Sequence, residues 1–252
     1  MIGKNTIKRI AALQQKKFRW EQELFVAEGE RLVDDILNSG IEVESLFFTS
    51  RWKQDVTKKT FDMVEVSELE MKRMSSLTTS TPVLAVVKMP KYNLNPEDLT
   101  NKLTIALDDI QDPGNLGTII RLADWFGVKN VVCSTNTVDV YSPKVVQATM
   151  GAIARVKVHY VDLNSFLEQV SAAGIMVYGT FMAGQNIYTT KLTNSGVVVM
   201  GNEGNGISSE IEKLVSQRLT IPNFSSDEST SESLNVAMAT AVVCSEFCRR
   251  TI

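Results

Sequence analysis

Asn115 and Arg121, in a polar segment near the middle of the chain, are residue types that could act on a reacting oxygen. They lie in Asp108-Asp-Ile-Gln-Asp-Pro-Gly-Asn-Leu-Gly-Thr-Ile-Ile-Arg121. An amide can orient a substrate group, and a guanidinium can bind an oxygen on which negative charge develops. We predict that Asn115 is the N-cap of a helix. Arg121, nearly two turns further on, should then face the same way. Taken alone, the segment would also fit a capped helix with an exposed arginine.

A second segment, Gly201-Asn-Glu-Gly-Asn-Gly-Ile207, combines an acid with three glycines. Glycines permit positive φ angles and close approach of a ligand to the backbone. Their order, G-x-x-G-x-G, is not the G-x-G-x-x-G of dinucleotide-binding loops, and no acidic residue stands clearly about 20 residues further on, as that fingerprint requires. Because Glu203 lies inside the loop, a binding site is favoured over a purely structural turn.

The third segment places a hydroxyl and an amide at the start of a small-residue helix. Ile221-Pro222 is followed by a polar loop and then by Ser233-Leu-Asn-Val-Ala-Met-Ala-Thr-Ala. The alternating alanines indicate close helix packing, either within the fold or across a dimer. The simpler interpretation of the polar loop between Pro222 and Ser233 is an ordinary exposed surface loop.

The single histidine and the three cysteines exclude several kinds of site. A single histidine argues against multi-histidine metal sites and against most Ser-His-Asp or Cys-His schemes. His159 lies in a strand-like run and is predicted to be structural. The spacing of Cys133, Cys244 and Cys248 matches no zinc motif, so we expect free thiols, mostly buried, and a cytoplasmic protein without a metal.

Apolar runs that alternate with helical segments predict the elements that position these residues. The C-terminal part has six such runs, at residues 104–107, 130–133, 156–158, 175–178, 197–200 and 218–221. They predict an α/β fold with a mainly parallel sheet, with helices starting near Leu116, Ser142, Ser165 and Ser208 and a last one from about Leu234 to Arg249. Ligands of such sheets bind at the carboxyl ends of the strands. The loops after Leu107, Tyr178, Met200 and Ile221 should therefore form the site.

The N-terminal part reads as a separate small α/β unit. We predict helices over residues 4–19 and 28–39 and strands over 43–49 and 83–88. Two prolines and two asparagines within residues 89–98 indicate a linker. The expected domains are therefore residues 1–90, a linker at 91–102, and a domain over 103–252.

Charge gives a weaker indication of the partner. The net charge is −3, yet six cations precede the first acidic residue, Glu21. These cations are Lys4, Lys8, Arg9, Lys16, Lys17 and Arg19. They could contact phosphates or form an ordinary solvated helix face. With 44% hydrophobic residues the chain can bury a core, and it contains no apolar run of the ~20 residues that a transmembrane helix needs.

Taken together, the three segments resemble the motifs of the SpoU/TrmH family in the SPOUT superfamily of methyltransferases. The matching residues are N-x-G-x-x-x-R at Asn115–Arg121, G-x-E-G-x-G at Gly201–Gly206, and I-P followed by S-L-N-V at Ile221–Pro222 and Ser233–Val236. Phe25-Val-Ala-Glu-Gly-Glu-Arg31 and Thr81-Pro-Val-Leu-Ala-Val-Val87 resemble the family's N-terminal RNA substrate-binding domain. One departure is the loop Asn223–Glu232, which is longer than usual and has no glycine, so the geometry of the adenine pocket cannot be carried over from the family.

The resemblance implies a C-terminal trefoil knot, a homodimer, and S-adenosylmethionine as cofactor. By the same resemblance the cofactor pocket would be lined by Thr180, Gly201, Asn202, Gly206, Ile221 and Leu234. The residues implied for catalysis are Asn115, Arg121, Glu203, Ser233 and Asn235. The implied reaction is methylation of a ribose 2′-hydroxyl in RNA, with Arg121 binding the hydroxyl as it gains charge and the other four orienting it or the substrate.

The RNA substrate and two other hypotheses stay open at this point. The extra N-terminal domain favours 23S ribosomal RNA over transfer RNA. A non-catalytic RNA-binding scaffold would be expected to lose motif residues, which are all present here. A nucleotide-dependent oxidoreductase would need the other glycine order.

Overall fold

The computed structural model describes residues 2–53, 61–225 and 233–250. The chain divides into two compact units, and each is considered by itself. The N-terminal unit consists of Met1–Lys91 and Asp139–Arg155, and the C-terminal unit consists of Tyr92–Val138 and Val156–Ile252. The segment 139–155, which the sequence analysis assigns to the second domain, thus packs with the N-terminal residues. Across the described residues, no helix is long and apolar enough to cross a membrane.

The N-terminal unit is a four-stranded sheet with helices on both faces. Its helices are α1 Lys4–Ala12, α2 Lys16–Gln22, α3 Glu30–Leu37, α4 Glu68–Met74 and, from the later segment, α6 Pro143–Ala148. Its strands are β1 Leu24–Glu28, β2 Val43–Phe48, β3 Asp62–Glu65 and β4 Val83–Lys88. The strand order is β1-β4-β2-β3, with β4 antiparallel to β1 and β2, and β3 parallel to β2.

One helix prediction for this unit is wrong, and its buried first strand was not predicted. Residues 4–19 form two helices, because the chain turns at Leu13, and Leu24–Glu28 forms a strand that the periodicity did not indicate. That strand is buried along its whole length. A fully buried strand shows no alternation of polar and apolar residues, so it cannot be distinguished by period from a buried helix.

Both faces of the N-terminal sheet are covered. On one face, Ile10 and Leu13 pack with Phe47, Met71 and Leu84. On the other, the ring of Phe25 lies 4.9 Å from that of Tyr141. Residues from the segment 139–155 therefore form part of this unit's core.

The C-terminal unit is built on a six-stranded sheet. Its strands are β5 Leu103–Leu107, β6 Asn130–Ser134, β7 Lys157–Val161, β8 Val177–Asn186, β9 Gly196–Met200 and β10 Gln217–Thr220. Its helices are α5 Pro113–Trp125, α7 Leu163–Ala172, α8 Ser209–Glu212 and α9 Val236–Arg249. The order is β10-β8-β9-β5-β6-β7, and every neighbouring pair is parallel. The predicted parallel sheet is confirmed.

The starts of several helices differ from the prediction. Asp112, not Asn115, caps α5, because Pro113 takes the first helical position, where its missing N–H costs nothing. Helix α7 begins at Leu163 with Asp162 as its N-cap, two residues before the predicted start near Ser165. Helix α8 begins at Ser209 with Ser208 as N-cap, in agreement with the predicted start near Ser208. Strand β8 continues to Asn186, and Thr180 therefore lies within the strand and not in a loop after Tyr178.

The strand order predicts where a binding crevice lies in this unit. The chain runs outward from β5 to β6 and β7 and then returns to the other side of β5 with β8 and β9. The order reverses between β5 and β9, and ligands of open α/β sheets bind at the carboxyl ends of strands at such a reversal. The segments after Leu107 and Met200 lie at this point.

Candidate active site

Glu203, in the loop after β9, accepts hydrogen bonds from the loop after β5. Its carboxylate accepts from the backbone amides of Gln111 and Asp112, each at 3.3 Å, and from Asn115 Nδ2 at 2.9 Å. Partial burial alone would raise the pKa of the Glu203 carboxyl, but the hydrogen bonds from Asn115 and the backbone amides outweigh it, so the pKa is lowered. Glu203 is therefore ionised at neutral pH and held by uncharged donors.

The network continues from Asn115 to the third motif. Asn115 Oδ1 accepts a hydrogen bond of 2.9 Å from Asn235 Nδ2. Asn235 Oδ1 in turn accepts from the backbone amides of Ala237 at 2.9 Å and Met238 at 3.3 Å, which makes Asn235 the N-cap of α9. The chain Glu203–Asn115–Asn235 thus joins all three motif segments through side chains.

The glycine loop has a close-packed start and an open end. A Cβ at Gly201 would lie 2.2 Å from the carbonyl carbon of Gly206, so no larger residue fits there. Gly206 has a φ of +71°, and no atom lies within 4 Å of its Cβ position among the described residues. The side of Gly206 on which a Cβ would lie is therefore open space among the described residues.

Asn202 holds this loop in shape. Its backbone N–H and C=O pair with those of Gly206, both at 2.9 Å. Its side-chain oxygen accepts from the amides of Gly204 at 2.9 Å and Asn205 at 3.0 Å, and its Nδ2 donates to the Asp109 carbonyl at 2.7 Å. The polar atoms of the Asn202 side chain are therefore already engaged within the protein.

The remaining predicted cofactor residues lie within β8, directly after β10 and just before α9. Thr180 in β8 is half-buried and donates to the Val199 carbonyl at 3.1 Å. Ile221 directly follows β10 and is half-buried, and Leu234, two residues before α9, is 55% exposed. Residues 226–232 belong to the loop Asn223–Glu232, which is longer than is usual in the family, and they lie outside the described residues.

Arg121 is not part of this network. Six residues correspond to about 600° of helix, which places Arg121 about 120° around α5 from Asn115; the expected shared face is wrong. Arg121 is exposed, and the described residues give it no ion pair or hydrogen bond. Ser233 is also exposed, two residues before Asn235. The structure brings Asn115, Glu203 and Asn235 together and leaves Arg121 directed elsewhere.

Sequence reasoning missed the aspartates of the first loop. Asp108 is buried and accepts from the Ser208 amide at 2.8 Å, which fixes the end of the glycine loop. Asp109 has a φ of 59°, and its amide donates to Ser134 Oγ at 2.9 Å. The Asp-Pro pair at residues 112–113 signalled the helix start, since an N-cap aspartate before proline is a frequent arrangement.

A separate cavity of about 390 Å³ lies beside the first loop. Its lining includes the carboxylates of Asp108, Asp109, Asp162 and Glu210, and the predicted cofactor residues are not among its lining residues. Four acids disfavour an anionic ligand there. The crevice between β5 and β9 remains the candidate active site.

The carboxyl edge of the parallel sheet joins an Asn-bearing helix, an acidic glycine loop and an Asn-capped C-terminal helix, the three segments that resemble SpoU/TrmH motifs. The SpoU rRNA Methylase family model matches residues 102–245, more than half of the chain, and the MRM3-like substrate binding domain model matches residues 4–85. The chain belongs to the SpoU rRNA methylase family. It is an RNA methyltransferase that uses S-adenosylmethionine.

Individual relatives support this assignment along the whole chain. The 23S rRNA (guanosine(2553)-2'-O)-methyltransferase RlmP of Bacillus subtilis is 32% identical, over 92% of this chain and 91% of the relative. A solved structure from Porphyromonas gingivalis, described as a candidate TrmH-family RNA methyltransferase, superposes with a TM-score of 0.89 at 39% identity, covering 99% of both chains. The AdoMet-bound rRNA methyltransferase of Sinorhizobium meliloti gives 0.86 at 28% identity, covering 100% of this chain and 97% of that one. The expected fold class and cofactor are thereby confirmed.

Proposed function

We propose that the protein transfers a methyl group from S-adenosylmethionine to a ribose 2′-hydroxyl of 23S ribosomal RNA. The observation that carries this proposal is the side-chain chain Glu203–Asn115–Asn235, which assembles all three motifs at the reversal of strand order. The match of residues 4–85 to a substrate-binding domain supports a structured RNA substrate. Relatives that act on 23S rRNA support the ribosomal substrate over transfer RNA.

The cofactor would be held by Thr180, Gly201, Asn202, Gly206, Ile221 and Leu234. Gly206 offers open space where a side chain would lie, and Ile221 and Leu234 offer apolar contact. Asn202 acts by holding the loop, since its side chain is engaged. When bound, S-adenosylmethionine supplies a methyl group that is already electrophilic. The protein therefore has to place the hydroxyl in line with that methyl group and stabilise the charge on its oxygen.

Arg121 is proposed to bind the 2′-hydroxyl and the neighbouring phosphate. A guanidinium has a pKa above ~12 and so is a poor base, but its fork of N–H donors suits an oxygen that gains negative charge. The exposed position of Arg121, without an ion pair among the described residues, leaves these donors available.

Glu203 and Asn235 are proposed to position Asn115. Asn115 Nδ2 donates to Glu203 and Asn115 Oδ1 accepts from Asn235, so the amide orientation is fixed with one N–H left for a substrate oxygen. Ser233 precedes this group and would contact the substrate through its hydroxyl.

The protein is further proposed to be a cytoplasmic homodimer. Arg121 and Trp125 are one turn apart on α5, and Trp125 is 84% exposed. Met238 on α9, a helix that packs against α5, is 53% exposed. A partner subunit covering these side chains would bring its own active site to Arg121. The free cysteines suit a reducing compartment.

The test is methyl transfer from labelled S-adenosylmethionine to unmodified 23S rRNA and to transfer RNA, followed by nucleoside analysis. We expect a 2′-O-methylnucleoside in the 23S rRNA. Arg121→Ala should lower kcat by about 100- to 1000-fold, as removal of an oxyanion donor does, while the cofactor Kd stays within a few-fold. Loss of cofactor binding together with turnover would mean that Arg121 is structural.

A further inference from the structure

Helix α2 (Lys16–Gln22) presents an exposed tryptophan next to two exposed lysines. Trp20 is 46% exposed, and Lys16 and Lys17 are exposed as well. Lys16 and Trp20 are four residues apart and so share one face of the helix, with Lys17 beside them. An aromatic ring of this size is usually buried, and its exposure among cations calls for an explanation.

The helix is fixed by Arg19, which lies about 100° around α2 from Trp20. Arg19 is 3% exposed and forms a 2.6 Å ion pair with the buried Asp139. Arg19 Nη1 also donates to the carbonyls of Leu13 at 2.9 Å and Gln14 at 2.8 Å. A seven-residue helix has little stability of its own. The buried arginine therefore holds α2, and with it Trp20, in one orientation.

Some cations of the N-terminal unit are paired with acids, and others, such as Lys16, Lys17, Lys72 and Arg73, form no ion pair among the described residues. Arg9, Arg51, Lys88 and Lys91 each form an ion pair with a glutamate. Lys16 and Lys17 form none among the described residues, although Glu21 lies one turn after Lys17. Unneutralised charge is what a phosphate-binding surface requires.

The geometry points to Lys16, Lys17 and Trp20 as an RNA-docking surface that stacks an unpaired base on the indole and binds the flanking phosphates. This inference rests on the proposed function, since it assigns part of the substrate contact. Single-stranded RNA is recognised by bases that stack on aromatic side chains with cations along the backbone. A duplex, whose bases are already stacked, would use the lysines but not Trp20.

This assignment also corrects the predicted basic stretch. Arg19 is buried in its ion pair and Arg9 is neutralised by Glu44 at 2.6 Å, so neither is available to phosphates. The positive charge on α2 that has no ion pair among the described residues is therefore that of Lys16 and Lys17, beside Trp20.

The first test is a salt-titrated binding series with an unmodified 23S rRNA transcript. Lys16→Gln/Lys17→Gln should lower the slope of log Kd against log salt by about 1.4, which is about 0.7 for each single-strand phosphate. The matched control is Lys72→Gln/Arg73→Gln, which removes the same charge from exposed positions on α4 of the same unit. An equal change in both double variants would mean diffuse attraction and would overturn the assignment.

The second test addresses the ring. Trp20→Ala should weaken binding of the transcript about tenfold, whereas Leu69→Ala, at a 61% exposed position on α4, should leave it unchanged. Quenching of tryptophan fluorescence by RNA should be lost in Trp20→Phe and kept in Trp125→Phe. A change of oligomeric state in Trp20→Ala, with unchanged RNA affinity, would instead identify a protein interface and sink the proposal.

Cofactor affinity and methyl transfer separate this inference from the proposed function. Variants of α2 should bind S-adenosylmethionine like the wild type, which also verifies folding. Transfer to 23S rRNA with wild-type RNA affinity in the α2 variants would refute the docking surface alone. RNA binding through α2 without transfer to any RNA would refute the proposed reaction alone.

Discussion

The two units each contain a carboxylate at a structurally decisive position, and the two carboxylates are held in opposite ways. In the N-terminal unit, Asp139 is 4% exposed at its side chain and is paired with the equally buried guanidinium of Arg19. In the C-terminal unit, Glu203 is exposed, and its donors among the described residues are uncharged and include Asn115 and two backbone amides. The first arrangement cancels charge in a core, whereas the second keeps a negative charge at the edge of a site.

The difference indicates what each carboxylate does. A buried pair contributes little net stability, but removing one partner leaves a charge without compensation. A solvated carboxylate bound by amides adds little to stability and fixes the geometry of the groups that donate to it. We therefore expect Asp139 to matter for folding and Glu203 for turnover.

The largest effect is expected from breaking the buried pair. Arg19→Met should lower the free energy of unfolding by about 3–5 kcal/mol, because Asp139 stays buried without a cation. Urea titration measures this, with Arg9→Met as control, since the exposed Arg9–Glu44 pair should be worth less than about 1 kcal/mol. Arg19→Met combined with Asp139→Leu should recover most of the loss. No recovery would mean that packing, not charge, explains the first result.

His159 is a third titratable group to set beside the two carboxylates, because burial keeps it uncharged. Burial, helped by Lys157, lowers its pKa to about 4, and its Nε2 lies 3.0 Å from Asn130 Oδ1. Below pH ~6.5 the unfolded chain binds a proton that the folded protein does not, so stability falls as the pH drops from about 6.5 to about 4, by up to ~3 kcal/mol. Unfolding titrations at pH 7, 6 and 5 should show this fall, and His159→Gln should show less of it. Equal slopes for both proteins would disprove the assignment.

The smallest effect on stability is expected at Glu203. Glu203→Gln keeps the size of the side chain but presents an amide N–H to a backbone amide that now donates to the carboxylate. We expect kcat to fall about tenfold or more while the free energy of unfolding changes by less than about 1 kcal/mol. Methyl-transfer kinetics and urea titration on the same preparation give both values. A loss of stability as large as that of Arg19→Met would erase the distinction between the two carboxylates.

Much of the C-terminal unit could be predicted from its residues. The six strands were found from apolar runs because strands buried on both faces are apolar throughout, and their alternation with helices predicted a parallel sheet. Polar residues after those strands indicated the candidate site. The N-terminal unit was harder, since Leu24–Glu28 lies between helices and its burial on both faces removes the alternation that marks a strand.

The order and chemistry of the motifs could be read from the sequence alone, since Asn115, Glu203 and Asn235 lie at predicted element ends. What only the tertiary structure decided is their pairing, because hydrogen bonds between residues 88 and 120 positions apart depend on strand order, not on spacing. The same holds for Arg19, one of six adjacent cations in the sequence. Its burial follows from Asp139, 120 residues away, and a long-range ion pair of this kind leaves no periodic signal in the chain.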